Sequence, residues 1–226
     1  MSEDFVRLLS ILKNAFWQML EKGFEVTVPL TILAFAVAFV ISVVVALSQY
    51  ADVKGLKGLC RFYIWIIRGT PLLVQLWLVF YGLPKVGLLF PAFPTAVFVF
   101  GLNEGAYMAE SMRAALEAVP KGQLEAGYCV GMTYTQVMRR IVLPQALRTA
   151  FPPLSNSFIS LVKGTSLAAT ITVTEMFRQA QVINARYYEP LWLYVEVALI
   201  YLFFCTLLTW LQGKIEKRLN AYGGTR

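Results

Sequence analysis

Charged side chains stand inside long apolar runs of this 226-residue sequence. Glu104 and Glu110 lie in one run, and Lys163 lies in another. A charge near the centre of a membrane-spanning helix costs about 2.5–3.5 kcal/mol, so such groups usually pair with one another or border a cavity. Uncharged polar groups share these runs or adjoin them: Thr70, Gln75, Asn103, Thr165 and Ser166. Side chains of these types can accept hydrogen bonds from an ammonium group and donate them to a carboxylate, so they could bind a zwitterion.

Helical spacing divides the charges between structural pairs and candidate ligand contacts. Glu110 and Arg113 are three residues apart, and Arg113 and Glu117 are four apart, which favours ion pairs along one helix face. Glu104 has no such neighbour and lies nearest the middle of its run, so it is a candidate for the wall of a substrate path. Lys163 either pairs with a glutamate of the other run or attracts the carboxylate of a substrate.

The sequence lacks the residues that several common kinds of catalytic site require. Histidine is absent, and no G-x-x-x-x-G-K-[ST] phosphate loop occurs. The three cysteines (Cys60, Cys129 and Cys205) are far apart and form no CxxC pair, so they are interpreted as small apolar fillers. The sequence therefore predicts no catalytic residue, no metal site and no cofactor in this chain, and any ATP with its magnesium would bind to a partner.

Composition predicts the fold class. The chain is 58% apolar and 15% charged, whereas soluble domains have about 45–50% and about 25%. Five segments approach the length of about 20 residues that a spanning helix needs, namely 26–50, 62–83, 94–113, 151–173 and 190–213. We therefore expect an all-α membrane protein with five transmembrane helices, whose transmembrane domain covers residues 25–219 and is followed by a cytoplasmic tail, 220–226.

The first 24 residues have a different pattern. Their start is acidic, unlike a secretory signal, and apolar residues from Phe5 to Leu20 recur at spacings of three and four. This pattern predicts an amphipathic helix that lies in the plane of the membrane interface.

Basic residues predict the orientation. With the C-terminus in the cytoplasm, thirteen lysines and arginines fall inside and six fall outside, and Lys163 lies within a span. Because cytoplasmic loops collect basic residues, we expect the N-terminus outside and the C-terminus inside. The same asymmetry accounts for the net charge of +7 without nucleic acid.

The longest hydrophilic stretch, about residues 116–150, is expected to form two short amphipathic helices in the cytoplasm. Pro120 suits the first turn of a helix, and Gly131 permits a sharp turn. Thr133 and Gln136 have the spacing of a capping box, which predicts that a second helix begins there. Pro144 is expected to end that helix.

These residues also resemble a known family. Glu125-Ala126-Gly127, then Gly131, then Ile141-Val142-Leu143-Pro144 closely resembles the EAA loop of ATP-binding-cassette (ABC) importer permeases, with Gly127 in place of the second alanine. Arg68-Gly69-Thr70-Pro71-Leu72 is similar to the RGTPL segment of the polar-amino-acid branch. The stretch from Asn103 through Tyr107 and Glu110 to Arg113, and the block Ser160–Leu167, are similar to two further segments. The run 155–183 looks most like the cystine-type members.

The resemblance implies a type I importer permease that works in pairs and carries an amino acid delivered by an extracellular or periplasmic solute-binding protein. Each permease is expected to dock its loop on a separate ATPase subunit, in a bacterial inner membrane. The coupling residues implied by the match are Glu125, Ala126, Gly127, Gly131, Met132, Thr133, Arg139, Ile141, Leu143 and Pro144. The substrate-path candidates are Thr70, Gln75, Asn103, Glu104, Tyr107, Glu110, Lys163, Thr165 and Ser166.

Two positions depart from the family pattern, and two other functions stay open. The family often has an acid where Gly164 stands and a small polar residue where Glu104 stands. One alternative is an ion-coupled secondary amino-acid transporter that uses Glu104 and Glu110 as carriers, although no clear inverted repeat is present. The other is a membrane scaffold that only docks a soluble partner, which the polar groups within the spans disfavour.

Overall fold

The computed structural model describes residues 3–52 and 54–221, and every regular element among them is helical. The all-α prediction is therefore confirmed for this part of the chain. The α-helices are α1 (Glu3–Lys22), α2 (Val28–Tyr50), α3 (Leu56–Arg68), α4 (Leu72–Trp77), α5 (Ala92–Glu117), α6 (Lys121–Cys129), α7 (Tyr134–Val137), α8 (Leu143–Gly164), α9 (Met176–Tyr187) and α10 (Pro190–Ala221). Residues 222–226 of the predicted tail lie outside the described residues, whereas 220 and 221 belong to α10.

The predicted amphipathic segment is helical, and it continues into the first span. A π-helical turn, Gly23–Thr27, joins α1 to α2, so residues 4–50 form one helix of 47 residues. Ile11, Ala15 and Met19, spaced four apart, form the buried stripe of α1, as expected for an amphipathic helix. Placement of α1 in the plane of the interface stays a prediction.

Two helices are long and apolar enough to cross a membrane by themselves: Asp4–Tyr50, which contains an 18-residue window with a mean hydropathy of 2.9, and Pro190–Leu219, which contains one with 2.1. Two helix pairs meet the same test jointly, although each is bent. Length and composition thus support two to four spans in the described residues. The helix of the third predicted span, α5, is outside this set because Asn103 and Glu104 interrupt its apolar run. The count of five stays a prediction.

The second predicted span, 62–83, is broken in the structure. Its two parts, Leu56–Arg68 and Leu72–Val86, meet at an angle of 100°. Pro71 lacks an N–H group and disfavours helical geometry at the residue before it, so α3 ends at Arg68 and α4 begins at Leu72. Beyond α4 the chain forms a π-helical turn, Leu78–Gly82, and a 3-10 helix, Leu83–Val86.

Pro144 does not end the second loop helix, and that prediction is wrong. After α7 the chain passes through a π-helical turn, Met138–Val142, directly into α8. The N–H of Leu143 bonds to the carbonyl of Met138, five residues back. This wider turn changes the hydrogen-bond pattern just before Pro144, and so the first turn of α8 accommodates the proline ring. α8 then continues as a 3-10 helix, Thr165–Ile171, before a bend of 50° to α9.

The chain divides into two compact units. The first contains residues up to 35 with 72–100 and 159–209, and the second contains 36–71, 101–158 and the residues from 210. The core of the first unit includes Leu30, Leu76, Phe100 and Ile171. The core of the second unit consists of smaller and β-branched side chains: Val45, Cys60, Ile64, Ala106 and Ala109.

Candidate functional site

The predicted cytoplasmic loop forms a rigid elbow, defined here as residues 120–144 of the second unit. The turn after α6 depends on Gly131, which has φ +79°, a region that favours glycine. The N–H of Gly131 bonds to the Tyr128 carbonyl at 2.9 Å, and the N–H of Met132 bonds to the Gly127 carbonyl at 3.1 Å. These two bonds form a Schellman motif, which satisfies carbonyls at the end of α6.

A capping box begins the next helix of the elbow, as the sequence predicted. The backbone N–H of Thr133 donates to Oε1 of Gln136 at 2.8 Å, and the N–H of Gln136 donates to Oγ1 of Thr133 at 3.4 Å. Both ends of the turn are therefore closed by hydrogen bonds, which leaves α6 and α7 little freedom to separate.

Close packing on the inner side of the elbow explains the departure from the family pattern at Gly127. This glycine is buried, and a Cβ atom on it would lie 2.8 Å from Cγ2 of Val137 and 3.1 Å from Cδ1 of Ile141. An alanine would require these side chains to move. Val137 is itself fully buried, so the α6 backbone packs directly on α7.

The outer side of the elbow presents an apolar patch beside basic groups. Tyr128, Val130 and Tyr134 are 46%, 76% and 49% exposed. Arg139 and Arg140 are exposed and border a concave surface of about 390 Å³ together with Thr135 and Gln136. Among the remaining predicted coupling residues, those exposed are Glu125, Ala126, Gly131, Thr133 and Pro144, and those half-buried are Met132, Ile141 and Leu143.

A chain of ion pairs joins the end of α3 to α5 in the second unit. A carboxylate oxygen of Glu110 lies 3.0 Å from Nη2 of Arg113 and 4.0 Å from Nη1 of Arg68. Nη1 of Arg113 lies 2.7 Å from Oε1 of Glu117. The two pairs predicted from helical spacing are therefore present. Arg68 comes from a different helix and adds a third pair, with Glu110. Its guanidinium carbon lies 5.1 Å from the centre of the Tyr107 ring.

The other candidates of the second unit are Glu104, Asn103 and Thr70. Glu104 is half-buried, and the side chain of Ser157 is a polar neighbour of its carboxylate. Asn103 is buried. The Thr70 hydroxyl donates a hydrogen bond to the carbonyl of Ile66 at 2.9 Å. This bond satisfies a carbonyl group near the end of α3.

The first unit contains a cavity of about 520 Å³ against α10. Lys163 is exposed on its wall, and Ser166 lies beside it. The remaining lining residues are Phe177, Tyr194, Val197, Ala198, Tyr201, Leu202 and Cys205. Thr165 is fully buried next to this wall, where it donates to the Val162 carbonyl at 2.7 Å. The Ser166 hydroxyl donates a hydrogen bond to the Lys163 carbonyl at 2.8 Å. The remaining candidate of this unit, Gln75, lies on α4.

Two polar residues of the first unit were not predicted as site residues. Glu175 is fully buried and precedes α9, where its carboxylate accepts bonds from the N–H groups of Phe177 (2.9 Å) and Arg178 (2.7 Å) and from the Tyr201 hydroxyl (2.6 Å). The sequence signal was an acidic residue immediately before an amphipathic run, the position of a helix cap. The predicted fourth span ends at Val173, so Glu175 falls outside the charges expected within spans.

Among the described residues, no group of three or more His, Cys, Asp or Glu side chains is placed to bind a metal ion.

Known proteins match almost the whole length of the chain. Residues 53–221 match the family described as "Binding-protein-dependent transport system inner membrane component". The L-cystine transport system permease protein TcyB of Bacillus subtilis (strain 168) is 46% identical over 213 residues, which are 94% of this chain and 91% of that protein.

Solved structures agree with the sequence matches. In a crystal structure of an amino acid ABC transporter with histidines, one chain is 33% identical, with a TM-score of 0.84 over 96% of this chain and 100% of that one. An inward-facing structure of the MetNI methionine ABC transporter is 20% identical, with a TM-score of 0.74 and full coverage of both chains, and so shares the fold.

Proposed function

Because this chain belongs to the family of binding-protein-dependent transport system inner membrane components, as its motifs predicted, we propose that it is the translocation subunit of an ATP-driven importer for polar amino acids. Its cargo would be cystine or a related amino acid. The support for this cargo is the 46% identity to an L-cystine permease over nearly the whole of both chains. The predicted type I permease fold is confirmed by the likeness to solved ABC transporters.

The observation that carries the proposed mechanism is the rigid elbow. A Schellman motif and a capping box close its turn, and Gly127 lets α6 pack directly on α7. A structure fixed in this way moves as a unit when a partner pushes it. Its second helix runs on into α8 without a break, so displacement of the elbow would shift the beginning of a spanning helix.

The patch on the outer side of the elbow fits an ATPase groove. Aromatic and apolar side chains suit the centre of an interface, and arginines suit its rim. Tyr128, Val130 and Tyr134 would form that centre, and Arg139 and Arg140 would pair with acidic groups of the ATPase. ATP and Mg²⁺ would bind to that ATPase, since this sequence has no phosphate loop.

The remaining partners follow from the same role. A second permease, either another copy or a paralogue, would complete the path, and a solute-binding protein would deliver the amino acid from outside. The protein would span the bacterial inner membrane with its N-terminus outside and its C-terminus in the cytoplasm, as the basic residues of the loops predict.

Each unit contains candidates for the substrate path. In the first unit Lys163 and Ser166 border a cavity large enough for an amino acid, and the lysine could attract the substrate carboxylate. In the second unit Glu104 could attract an ammonium group. The other candidates keep their predicted role as polar groups of the path: Thr70, Gln75, Asn103, Tyr107, Glu110 and Thr165.

The ion-coupled alternative is less favoured by the contacts of Glu110. A carboxylate that carries protons or sodium ions must exchange its partner during each cycle. Glu110 instead lies between Arg113 and Arg68, so its carboxylate already has two cationic partners.

Purification from native membrane tests the proposal. An affinity tag on the chain, with mild detergent and mass spectrometry, is expected to recover an ABC ATPase and a permease together with this chain. A substitution of an exposed tyrosine in the elbow makes this co-purification test more specific. The Tyr128→Ser variant should lose the ATPase but keep the second permease. Recovery of the chain without any ATPase would contradict the proposal.

A further inference from the structure

The hydrogen bond between Tyr201 and Glu175 connects the wall of the cavity to the beginning of α9. Tyr201 lies on α10 and lines the cavity, while Glu175 is the N-cap of α9 and is fully buried. The Tyr201 hydroxyl donates to Oε2 of Glu175 at 2.6 Å. A bond this short to a carboxylate is typical of the strong, charge-assisted class.

Further contacts place each of the two residues in this bond. On the α9 side, both carboxylate oxygens also accept backbone N–H groups of the first helical turn, and the N–H of Met176 donates to Oγ1 of Thr27 at 3.4 Å. On the cavity side, Tyr201 shares the cavity wall with Phe177, whose N–H donates to the same carboxylate.

Phe177 lies in the first turn of α9. Its ring centre lies 5.8 Å from that of Tyr194, which also lines the cavity, and Lys163 and Ser166 are polar residues of the same wall. Removal of the Tyr201 hydroxyl would therefore loosen the start of α9 and, with it, the Phe177 part of the wall. The cavity would lose preorganisation, although every other lining side chain would still be present.

We propose that Tyr201 is a positioning residue of the transport site: its hydroxyl, anchored by Glu175, holds the start of α9 so that Phe177 keeps its place in the cavity wall that Lys163 and Ser166 also line. This assignment rests on the proposed transport function. Tyr201 acts through Glu175, and its ring contributes only cavity surface.

The test uses the complete transporter, with its ATPase and solute-binding protein, in proteoliposomes and L-cystine as the probe. Tyr201→Phe keeps the ring and removes only the hydroxyl. We expect the apparent KM for uptake to rise roughly tenfold, the equivalent of about 1.4 kcal/mol, with kcat within about twofold. Hydrogen exchange of the backbone amides in residues 176–179, the first turn of α9, should accelerate by a similar factor.

Two further variants separate positioning from general destabilisation. Glu175→Gln keeps a hydrogen-bonding group for Tyr201 and one acceptor for the α9 amides, so its KM should stay within about threefold of the wild type. Tyr187→Phe removes a hydroxyl at the far end of α9 and should match the wild type in KM and hydrogen exchange.

The outcomes distinguish the two proposals. Wild-type uptake of L-cystine with an unchanged KM in Tyr201→Phe would overturn the role of Tyr201 and leave the transport function standing. Equal losses in Tyr201→Phe and Glu175→Gln, with lower yield of assembled complex and unchanged KM in the remainder, would show a purely structural bond. A wild-type complex that takes up no L-cystine would overturn the proposed cargo and, with it, the positioning role.

Discussion

The carboxylate of Glu110 lies 4.0 Å from the guanidinium of Arg68, which belongs to the end of a different helix. The same carboxylate bonds to Arg113 on its own helix. Glu110 therefore neutralises two arginines at once, and these arginines would be left without that partner if its charge were removed.

Replacement of this carboxylate should destabilise the protein more than replacement of its neighbour. We expect Glu110→Gln to lower the free energy of unfolding by about 1–2 kcal/mol, because the side chain is half-buried and hydrogen-bonded to charged groups. That loss corresponds to a fall of roughly 3–6 °C in Tm. Glu117→Gln is the matched control, since Glu117 is 54% exposed and exposed pairs contribute about 0–1 kcal/mol. Thermal unfolding in detergent checks this, and equal shifts for the two variants would contradict it.

Restoring the alanine of the family pattern should damage this particular elbow. Gly127→Ala places a Cβ 2.8 Å from Cγ2 of Val137, an overlap that costs about 1–3 kcal/mol. The loss should appear as weaker ATPase co-purification. Val137→Ala should rescue the variant by vacating the space, and Gly122→Ala, with open space around its Cα, should have little effect. No rescue in the double variant would refute the packing explanation.

The turn at Gly131 depends on backbone geometry alone. Nothing lies within 4 Å of a Cβ built there, but φ is +79°, and β-branched residues rarely adopt that conformation. We expect Gly131→Val to distort the elbow and uncouple ATP hydrolysis from uptake. Gly122→Val provides a control with equal open space and ordinary helical geometry. Both variants would be compared by ATPase co-purification and by uptake per ATP hydrolysed, and normal coupling in Gly131→Val would rule out the role of the turn.

Glu104 should influence which amino acids are accepted. Its carboxylate is expected to favour cationic substrates, so Glu104→Gln should shift the ratio of L-arginine to L-glutamine uptake toward glutamine by roughly tenfold, about 1.4 kcal/mol. Ser157→Ala removes a polar neighbour of Glu104 but keeps the charge, so it should alter the ratio much less. An unchanged ratio in Glu104→Gln would assign the residue a structural role.

Local features of the elbow were predictable because each depends on residues within a few positions. The Gly131 turn, the capping box of Thr133 and Gln136, and the ion pairs of Arg113 all follow from spacing along one helix or turn. The all-α fold and the family followed from composition and from motifs in a fixed order.

Features that depend on tertiary contact were not predictable in this way. The approach of Arg68 to Glu110 brings the end of α3 against α5, and Glu175 contacts Tyr201 of α10. Pro144 was expected to stop a helix because proline removes a hydrogen bond, but the π-helical turn before it changes the pattern of bonds. The tight fit of Gly127 against Val137 likewise appears only when α6 and α7 are packed together.

Uptake by the purified permease in sealed vesicles tests the central claim most directly. The same preparation is assayed for L-cystine uptake with a proton or sodium gradient alone, and then with the ATPase, solute-binding protein and ATP. We predict uptake only in the second case, at a rate that falls to background when ATP is withheld or when the ATPase is omitted. Uptake driven by an ion gradient in the absence of any ATPase would contradict the account.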